Sequence, residues 1–142
     1  MSKTSIYDIG TALLTTLEAT HKAGYVFNDL KLDNLMVGYN QKIFKKTPND
    51  VSMFSQCSIH LVDFGYATKY LMSQGKHILE TETKVFRGNI IFASKSQLEF
   101  KVTSRKDDLI STCYILVYLL NQGKLFDFDF GPNDASMQEL FA

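Results

Sequence analysis

The stretch Tyr25–Val37, which reads YVFNDLKLDNLMV, constrains this chain more than any other part of it. It holds an acid, a lysine two residues later and an asparagine five residues after the acid: Asp29, Lys31 and Asn34. A second acid, Asp63, follows a short apolar run and opens the triplet Asp-Phe-Gly. Polar groups at fixed spacing between short apolar segments indicate loops held by a scaffold. We therefore expect the rest of the chain mainly to position these four side chains.

The size and composition of the chain indicate one globular domain. It has 142 residues, of which 45% are hydrophobic and 21% charged. Fifteen basic and fifteen acidic residues give a formal net charge of zero, so we predict neither a nucleic-acid nor a membrane partner. Cys57 and Cys113 form no CxxC pattern and indicate reduced thiols. The N-terminus lacks the apolar core of a signal peptide, so we expect a cytoplasmic location, with the nucleus as the alternative.

Helical periodicity is clear near the N-terminus. Apolar residues recur at steps of three and four and predict an amphipathic helix from about Ser5 to Lys22. Thr4 or Ser5 is the expected N-cap, and Gly24 the expected left-handed end. The apolar residues of this stripe are Ile6, Ile9, Leu13 and Leu17.

Two short apolar segments, Leu35–Val37 and Ser58–Val62, predict strands that an enlarged hairpin loop joins. Its lysines, at positions 42, 45 and 46, indicate a solvated loop. The weak pattern from Gly65 to about Ser94 is typical of a long mobile functional loop. Leu109–Leu120 is apolar all round, which predicts a central buried helix.

The four singled-out side chains match the needs of phosphoryl transfer. Such a reaction neutralises a polyphosphate and aligns a hydroxyl group with it. An acid can accept the proton of the hydroxyl, and a lysine can face the transferring phosphoryl oxygens. Asn34 and Asp63 offer hard oxygen ligands of the kind that Mg²⁺ prefers. Taken singly, Asp29, Asn34 and Asp63 also fit turn-forming roles, and Lys31 a surface role; the ordered set favours the site.

These motifs resemble the C-terminal lobe of the eukaryotic protein kinases, and most of all the casein kinase I family. Two further stretches carry the resemblance, at positions 85–94 (VFRGNIIFAS) and 104–111 (SRKDDLIS). The resemblance implies that Asp29 is the catalytic base, that Lys31 contacts the phosphate of ATP, and that Asn34 and Asp63 hold Mg²⁺. It further implies transfer of the γ-phosphoryl group of ATP to serine or threonine of a protein substrate.

The resemblance implies more about the substrate and about loop shape. Acidic or already phosphorylated targets are expected, with Arg87, Arg105 and Lys106 as candidate anion contacts. From its position at the start of the central helix, Asp108 is expected to bond backbone amides of the loop at 25–29 and hold its shape; the alternative is a plain N-terminal charge on that helix. Gly65 would permit the turn after Asp63, with Phe64 packing inward.

The chain departs from the family pattern at several positions. Phe27-Asn28-Asp29 replaces the usual His-Arg-Asp, so the cation that would clamp a phosphorylated loop is missing. Phe27 can fill an apolar slot, and Asn89 replaces a threonine but its amide can still donate to Asp29. Neither a Gly-rich phosphate loop nor a strand lysine of the Val-Ala-Ile-Lys type is present.

The expected fold class is therefore α+β, mainly α. We expect residues 1–142 to be a partial kinase domain: a C-terminal lobe without its nucleotide lobe or its last helices. Its helices would surround the central one, with a short β-hairpin carrying the catalytic and metal loops. The alternative function is a non-catalytic, pseudokinase-like scaffold.

Overall fold

The computed structural model describes residues 2–38, 58–72 and 75–125. Strands β1 and β4 form one two-stranded antiparallel sheet, and β2 and β3 form another. Helices contain most of the residues in regular elements, which confirms the expected α+β class. In chain order the elements are α1 (Lys3–Lys22), β1 (Tyr25–Val26), a 3₁₀ turn (Leu32–Asn34), β2 (Leu35–Val37), β3 (Ile59–Leu61), β4 (Thr68–Lys69), α2 (Lys95–Leu98) and α3 (Arg105–Leu120).

Helix α1 confirms the predicted apolar stripe, all four residues of which are buried. The predicted start is wrong, because the N-cap is Ser2, whose hydroxyl accepts a hydrogen bond from the Ser5 amide at 3.1 Å. Ser2 has extended backbone angles, so its side chain can reach back to the open first turn. The left-handed Gly24, with φ of +90°, follows the helix end as expected.

The predicted strand pair is confirmed by β2 and β3. They are antiparallel, with Leu35 opposite Leu61 and Val37 opposite Ile59. The predicted loop with its three lysines lies at 39–57, outside the described residues, as does Cys57. The pairing brings the ends of the two strands together, which places the segment before β2 beside the segment after β3.

The described part of the predicted long loop from Gly65 to Ser94 is mostly irregular, as expected, but it is joined to the rest of the chain at several points. Strand β4 pairs with β1, and Glu82 forms a β-bridge with Lys101. Tyr70, only 5% exposed, donates its hydroxyl to the carbonyl of His21 at 2.7 Å. Two-residue strands give too short a pattern to be seen in a sequence, because alternation needs several residues to emerge.

Helix α3 is buried on one face only, so the prediction of a helix buried all round is wrong. Ile115 is fully buried, whereas Leu109, Val117 and Leu120 are 40–50% exposed. The apolar composition of the helix hides this difference, since its buried positions include Asp107 and other polar residues.

The hydrophobic core lies between α1, α3 and the β2–β3 sheet, and it includes the loop after β1. Phe27 and Leu30 from that loop are both fully buried in it, so Phe27 fills an apolar slot as expected. The loop backbone is therefore anchored on both sides of Asp29. In the described part of the chain, no helix has the length and apolar character needed to cross a membrane. The core residues are Leu13, Leu17, Phe27, Leu30, Ile59, Leu61, Phe92 and Ile115.

Candidate active site

The loop after β1 receives its shape from Asp108 at the start of α3. The carboxylate of Asp108 accepts hydrogen bonds from the backbone amides of Phe27 at 2.8 Å and Asn28 at 2.9 Å. This confirms the predicted contact. Nε2 of His21 lies 2.8 Å from the same carboxylate. Asp108 is 1% exposed, and these partners satisfy the charge that burial would otherwise make costly.

Asn28 occupies the position where the resemblance expects an arginine. Its backbone is left-handed, with φ of +69°, a conformation that asparagine tolerates better than most residues. Its side-chain amide donates to the carbonyl of Tyr66 at 2.8 Å and to Oγ1 of Thr68 at 2.9 Å. Its side-chain Oδ1 accepts a hydrogen bond from the hydroxyl of Thr103 at 2.6 Å. A neutral amide thus joins three segments of the chain.

Asp29, Lys31 and Asn34 come together as predicted. Asp29 is 1% exposed, and Nδ2 of Asn34 donates to both its Oδ2 and its backbone carbonyl, each at 2.9 Å. Nζ of Lys31 lies 3.2 Å from the same Oδ2. The 3₁₀ turn places Asn34 and Lys31 on one side of the carboxylate, which explains the spacing of the motif.

Asn89 supplies a donor on the other side of the carboxylate. Its Nδ2 donates to Oδ1 of Asp29 at 3.3 Å and to the carbonyl of Leu30 at 2.7 Å. Its own Oδ1 accepts from the Phe92 amide at 3.0 Å, which fixes the direction of the side chain. The expectation that this amide donates to Asp29 is confirmed. Both carboxylate oxygens of Asp29 are therefore oriented by fixed donors.

Asp63 joins this group through the neighbouring strand ends. The amide of Val62 donates to the carbonyl of Asn34 at 3.0 Å, so the two loops are adjacent. Asp63, not Gly65, adopts the left-handed backbone, with φ of +62°, and its Oδ1 accepts from the Gly65 amide at 3.1 Å. The expected inward packing of Phe64 is found in part: its ring meets the buried Phe27 edge-on at 5.0 Å, while the residue remains 51% exposed.

The charges of the site act on Lys31. The hydrogen bond and the charge of Asp29 raise the pKa of Lys31 and outweigh the opposing effect of burial, and Asp33 and Asp63 raise it further. The effect of Asp63 agrees with the backbone contact between the two loops. Lys31 therefore remains a cation at neutral pH, flanked by acids.

The residues around Asp29 fit a magnesium ion. The NH₂ group of Asn34 faces Asp29, so its carbonyl oxygen points to the opposite side of the amide. The carboxylate of Asp63 is exposed, on the loop whose Val62 amide donates to the backbone carbonyl of Asn34. These are hard oxygen donors, and Mg²⁺ commonly takes few protein ligands, with water and phosphate completing its shell. Among the described residues no group of three or more His, Cys, Asp or Glu side chains could hold a metal.

Comparison with known proteins identifies related sequences, although no family model matches the chain. A probable casein kinase I homolog of Encephalitozoon cuniculi is 32% identical over 83% of the chain. A casein kinase 1-like protein of Oryza sativa subsp. japonica is 30% identical over 88%. A probable serine/threonine-protein kinase of Dictyostelium discoideum is 29% identical over 80%. The chain covers only 32%, 16% and 20% of the lengths of these proteins.

The relatives indicate the class of protein. The chain is similar in sequence to part of several members of the protein serine/threonine kinase family. Within that family, its likeness is to casein kinase I, the name that two of the three relatives carry.

Two residues of the site were missed by sequence reasoning. His21 extends the apolar stripe of α1 by one further step of four from Leu17, and a polar residue at such a buried position is a usable signal. Gln97, 4% exposed, donates to the backbone carbonyls of Asn28 and Arg87. Its only local signal is the Ser94-x-x-Gln97 capping pattern, which predicts a helix start and no contact with the site.

Proposed function

We propose that this chain supplies the phosphate-side half of a casein kinase I-type centre. In this proposal it transfers the γ-phosphoryl group of Mg·ATP to serine or threonine hydroxyls of proteins. The observation that carries the proposal is the buried carboxylate of Asp29, oriented by Lys31, Asn34 and Asn89 together. Holding three donors against one buried acid costs conformational freedom. A catalytic base needs a carboxylate fixed in this way, whereas a turn residue does not.

Each residue has a role that follows from its geometry. Asp29 accepts the hydrogen bond of the attacking hydroxyl and then its proton. Lys31 stays protonated because acids surround it, and it neutralises negative charge on the transferring phosphoryl oxygens. Asn34 and Asp63 would hold Mg²⁺, which would supply positive charge to offset the negative charge of the phosphate.

In this proposal, residues 1–142 form the C-terminal lobe of a kinase domain. The sequence carries no Gly-rich loop and no strand lysine of the type that covers ATP phosphates in kinases. We therefore expect only weak Mg·ATP binding by this chain by itself. A cytoplasmic or nuclear location belongs to the same proposal.

We place acidic or phosphorylated protein substrates at a cavity that Arg87 lines. The cavity has a volume of about 110 Å³, and Lys69 and Lys101 also line it, the latter paired with Glu99 at 2.7 Å. The other two candidate anion contacts are engaged elsewhere: the guanidinium of Arg105 lies 5.0 Å from the centre of the Tyr70 ring, and Lys106 donates to Asp107 and Ser96. Of the three candidates, Arg87 is thus the one that we propose for the substrate.

The proposal is tested first by calorimetry and then by restoring the missing half. Mg·ATP titrated into the full 142-residue chain should show dissociation constants well above the micromolar range, and tight binding would contradict the expected dependence on a second lobe. A fusion to the N-terminal lobe of a related kinase should phosphorylate an acidic serine peptide. Asp29→Asn should lower kcat of this fusion by about 10²- to 10⁴-fold.

The matched control for the fusion is Glu18→Gln, the same acid-to-amide change at an exposed pair with Lys22 on α1. It should leave kcat unchanged. A fusion that folds and binds Mg·ATP but transfers no phosphoryl group would reject the enzyme proposal and favour the scaffold.

A further inference from the structure

Gln97 places one buried amide group between two separate backbone segments. It is the third residue of α2, and its Oε1 accepts from the Ser94 amide at 2.9 Å. This bond fixes which end of the side chain is the acceptor, so the NH₂ group faces the other way. Nε2 donates to the carbonyls of Asn28 and of Arg87, both at 2.9 Å. An amide nitrogen has two N–H donors, and both are used here.

The two carbonyls belong to segments that meet at the candidate base. Asn28 immediately precedes Asp29, and Arg87 lies two residues before Asn89, which donates to Asp29. Gly88, which lies between Arg87 and Asn89 in the chain, has a left-handed φ of +111°. A Cβ atom there would overlap the Asn28 carbonyl oxygen. The two backbones are therefore in direct contact at the position that the Gln97 amide joins.

We propose that Gln97 is a positioning residue, which holds the segment of Asn89 in register with the loop of Asp29. This inference rests on the proposed function for its catalytic meaning. With the amide in place, the Asn89 side chain reaches Oδ1 of Asp29 and the Leu30 carbonyl. Without it, the buried carbonyl of Asn28 and the half-buried carbonyl of Arg87 lose their donor, and the segments separate to reach water. The side of the site that carries Arg87 would shift with them.

Gln97→Glu separates this role from simple helix capping. A glutamate keeps the oxygen that accepts from the Ser94 amide but removes both donors to the carbonyls of Asn28 and Arg87. The matched control is Gln122→Glu, the same change at an exposed residue just after α3. A capping role predicts that both variants resemble the parent protein around Asp29. A positioning role predicts a change for Gln97→Glu alone.

The experiment uses nuclear magnetic resonance of the full chain labelled with ¹⁵N. In Gln97→Glu, the side-chain amide resonances of Asn34 and Asn89 should move, because their shared acceptor is Asp29. The backbone amide of Asn28 should exchange with solvent about tenfold faster, the effect of roughly one lost hydrogen bond. Gln122→Glu should leave all of these signals in place. In the kinase fusion, Gln97→Glu should lower kcat more than it raises KM for ATP.

Unmoved Asn34 and Asn89 resonances in a folded Gln97→Glu chain would overturn the proposal, even if the melting temperature fell. If that variant does not fold, the same resonances are measured in Gln97→Met, which removes the donors without adding a charge. If neither variant folds, Gln97 serves the fold as a whole and the specific positioning role is rejected. The resonances need no turnover, so failure of the kinase reaction would leave this result readable.

Discussion

At the scale of single residues, the site has neutral amide side chains at two positions where the family resemblance predicts other residue types. Asn28 stands where an arginine is expected, and Asn89 where a threonine is expected, yet each finds donors and acceptors within the chain. Amides both donate and accept, so one side chain can join segments without introducing a charge. The geometry around Asp29 is thereby kept with a different set of partners.

Asp107 gives a pH-dependent test at this scale. Burial by itself would raise its pKa, but hydrogen bonds from Ser94, from the Ser104 amide and from Lys106 outweigh burial and lower the pKa below its usual value. A pKa lower in the folded than in the unfolded chain contributes stability above the unfolded value, which is about 3.9. That contribution is lost as the pH falls through the folded value.

We therefore expect Asp107→Asn to lower the free energy of unfolding by about 2 kcal/mol at pH 7. The difference from the parent chain should narrow below about pH 4, where the parent carboxylate takes up a proton more readily in the unfolded chain than in the folded chain. Urea denaturation from pH 7 to pH 3 measures both, with Asp8→Asn on α1 as control. A difference that stayed constant down to pH 3 would contradict the assigned partners.

Gly88 gives a second test, matched within the chain by Gly75. Both glycines have left-handed backbones, but a Cβ at Gly88 would overlap the Asn28 carbonyl, whereas one at Gly75 would have no atom of the described residues, apart from its chain neighbours, within 4 Å. Gly75→Ala should therefore cost only the backbone strain of about 1 kcal/mol, and Gly88→Ala clearly more, about 3 kcal/mol or above. Equal losses in denaturant titrations would show that the two backbones are not in contact.

At the scale of elements, α1 and the β2–β3 pair were predictable and much of the rest was not. The stripe of α1 from Ile6 to Leu17 spans about three turns, so its period is unmistakable. Strand β4 and helix α2 have two and four residues, and long-range contacts decide their form. One short motif contains Asp29, Lys31 and Asn34, so the sequence predicted them together. Gln97, which contacts Asn28, lies 69 residues further along the chain.

Two substitutions in helix α3 test the finding that only one of its faces is buried. Ile115 is fully buried in the core and Val117, two residues on, is 40% exposed. Ile115→Ala should lower the free energy of unfolding by about 3 kcal/mol, since it leaves a cavity among packed side chains. Val117→Ala should change it by less than about 0.5 kcal/mol. Comparable losses, measured by urea denaturation, would restore the sequence-based expectation of a helix buried all round.

At the scale of the whole molecule, the chain has no net charge, and its charges act locally. Lys31 is surrounded by Asp29, Asp33 and Asp63, while Arg87 shares a cavity with other cations. A formal net charge of zero favours no overall basic surface of the kind that binds nucleic acids, but it could not reveal this separation of charges. The separation of charges arises when distant segments of the chain pair. For this reason the sequence motif, and not the overall charge, indicated the similarity to kinases.

The carboxylate that shapes the candidate loop belongs to α3, about 80 residues after the loop itself. During biosynthesis, the ribosome therefore releases the loop long before it releases Asp108. Until α3 emerges, Phe27 and Asn28 lack the acceptor that orders them, so a nascent chain paused before position 108 carries the whole motif without its architecture. The order of translation thus delays assembly of the centre until the last described helix has been made.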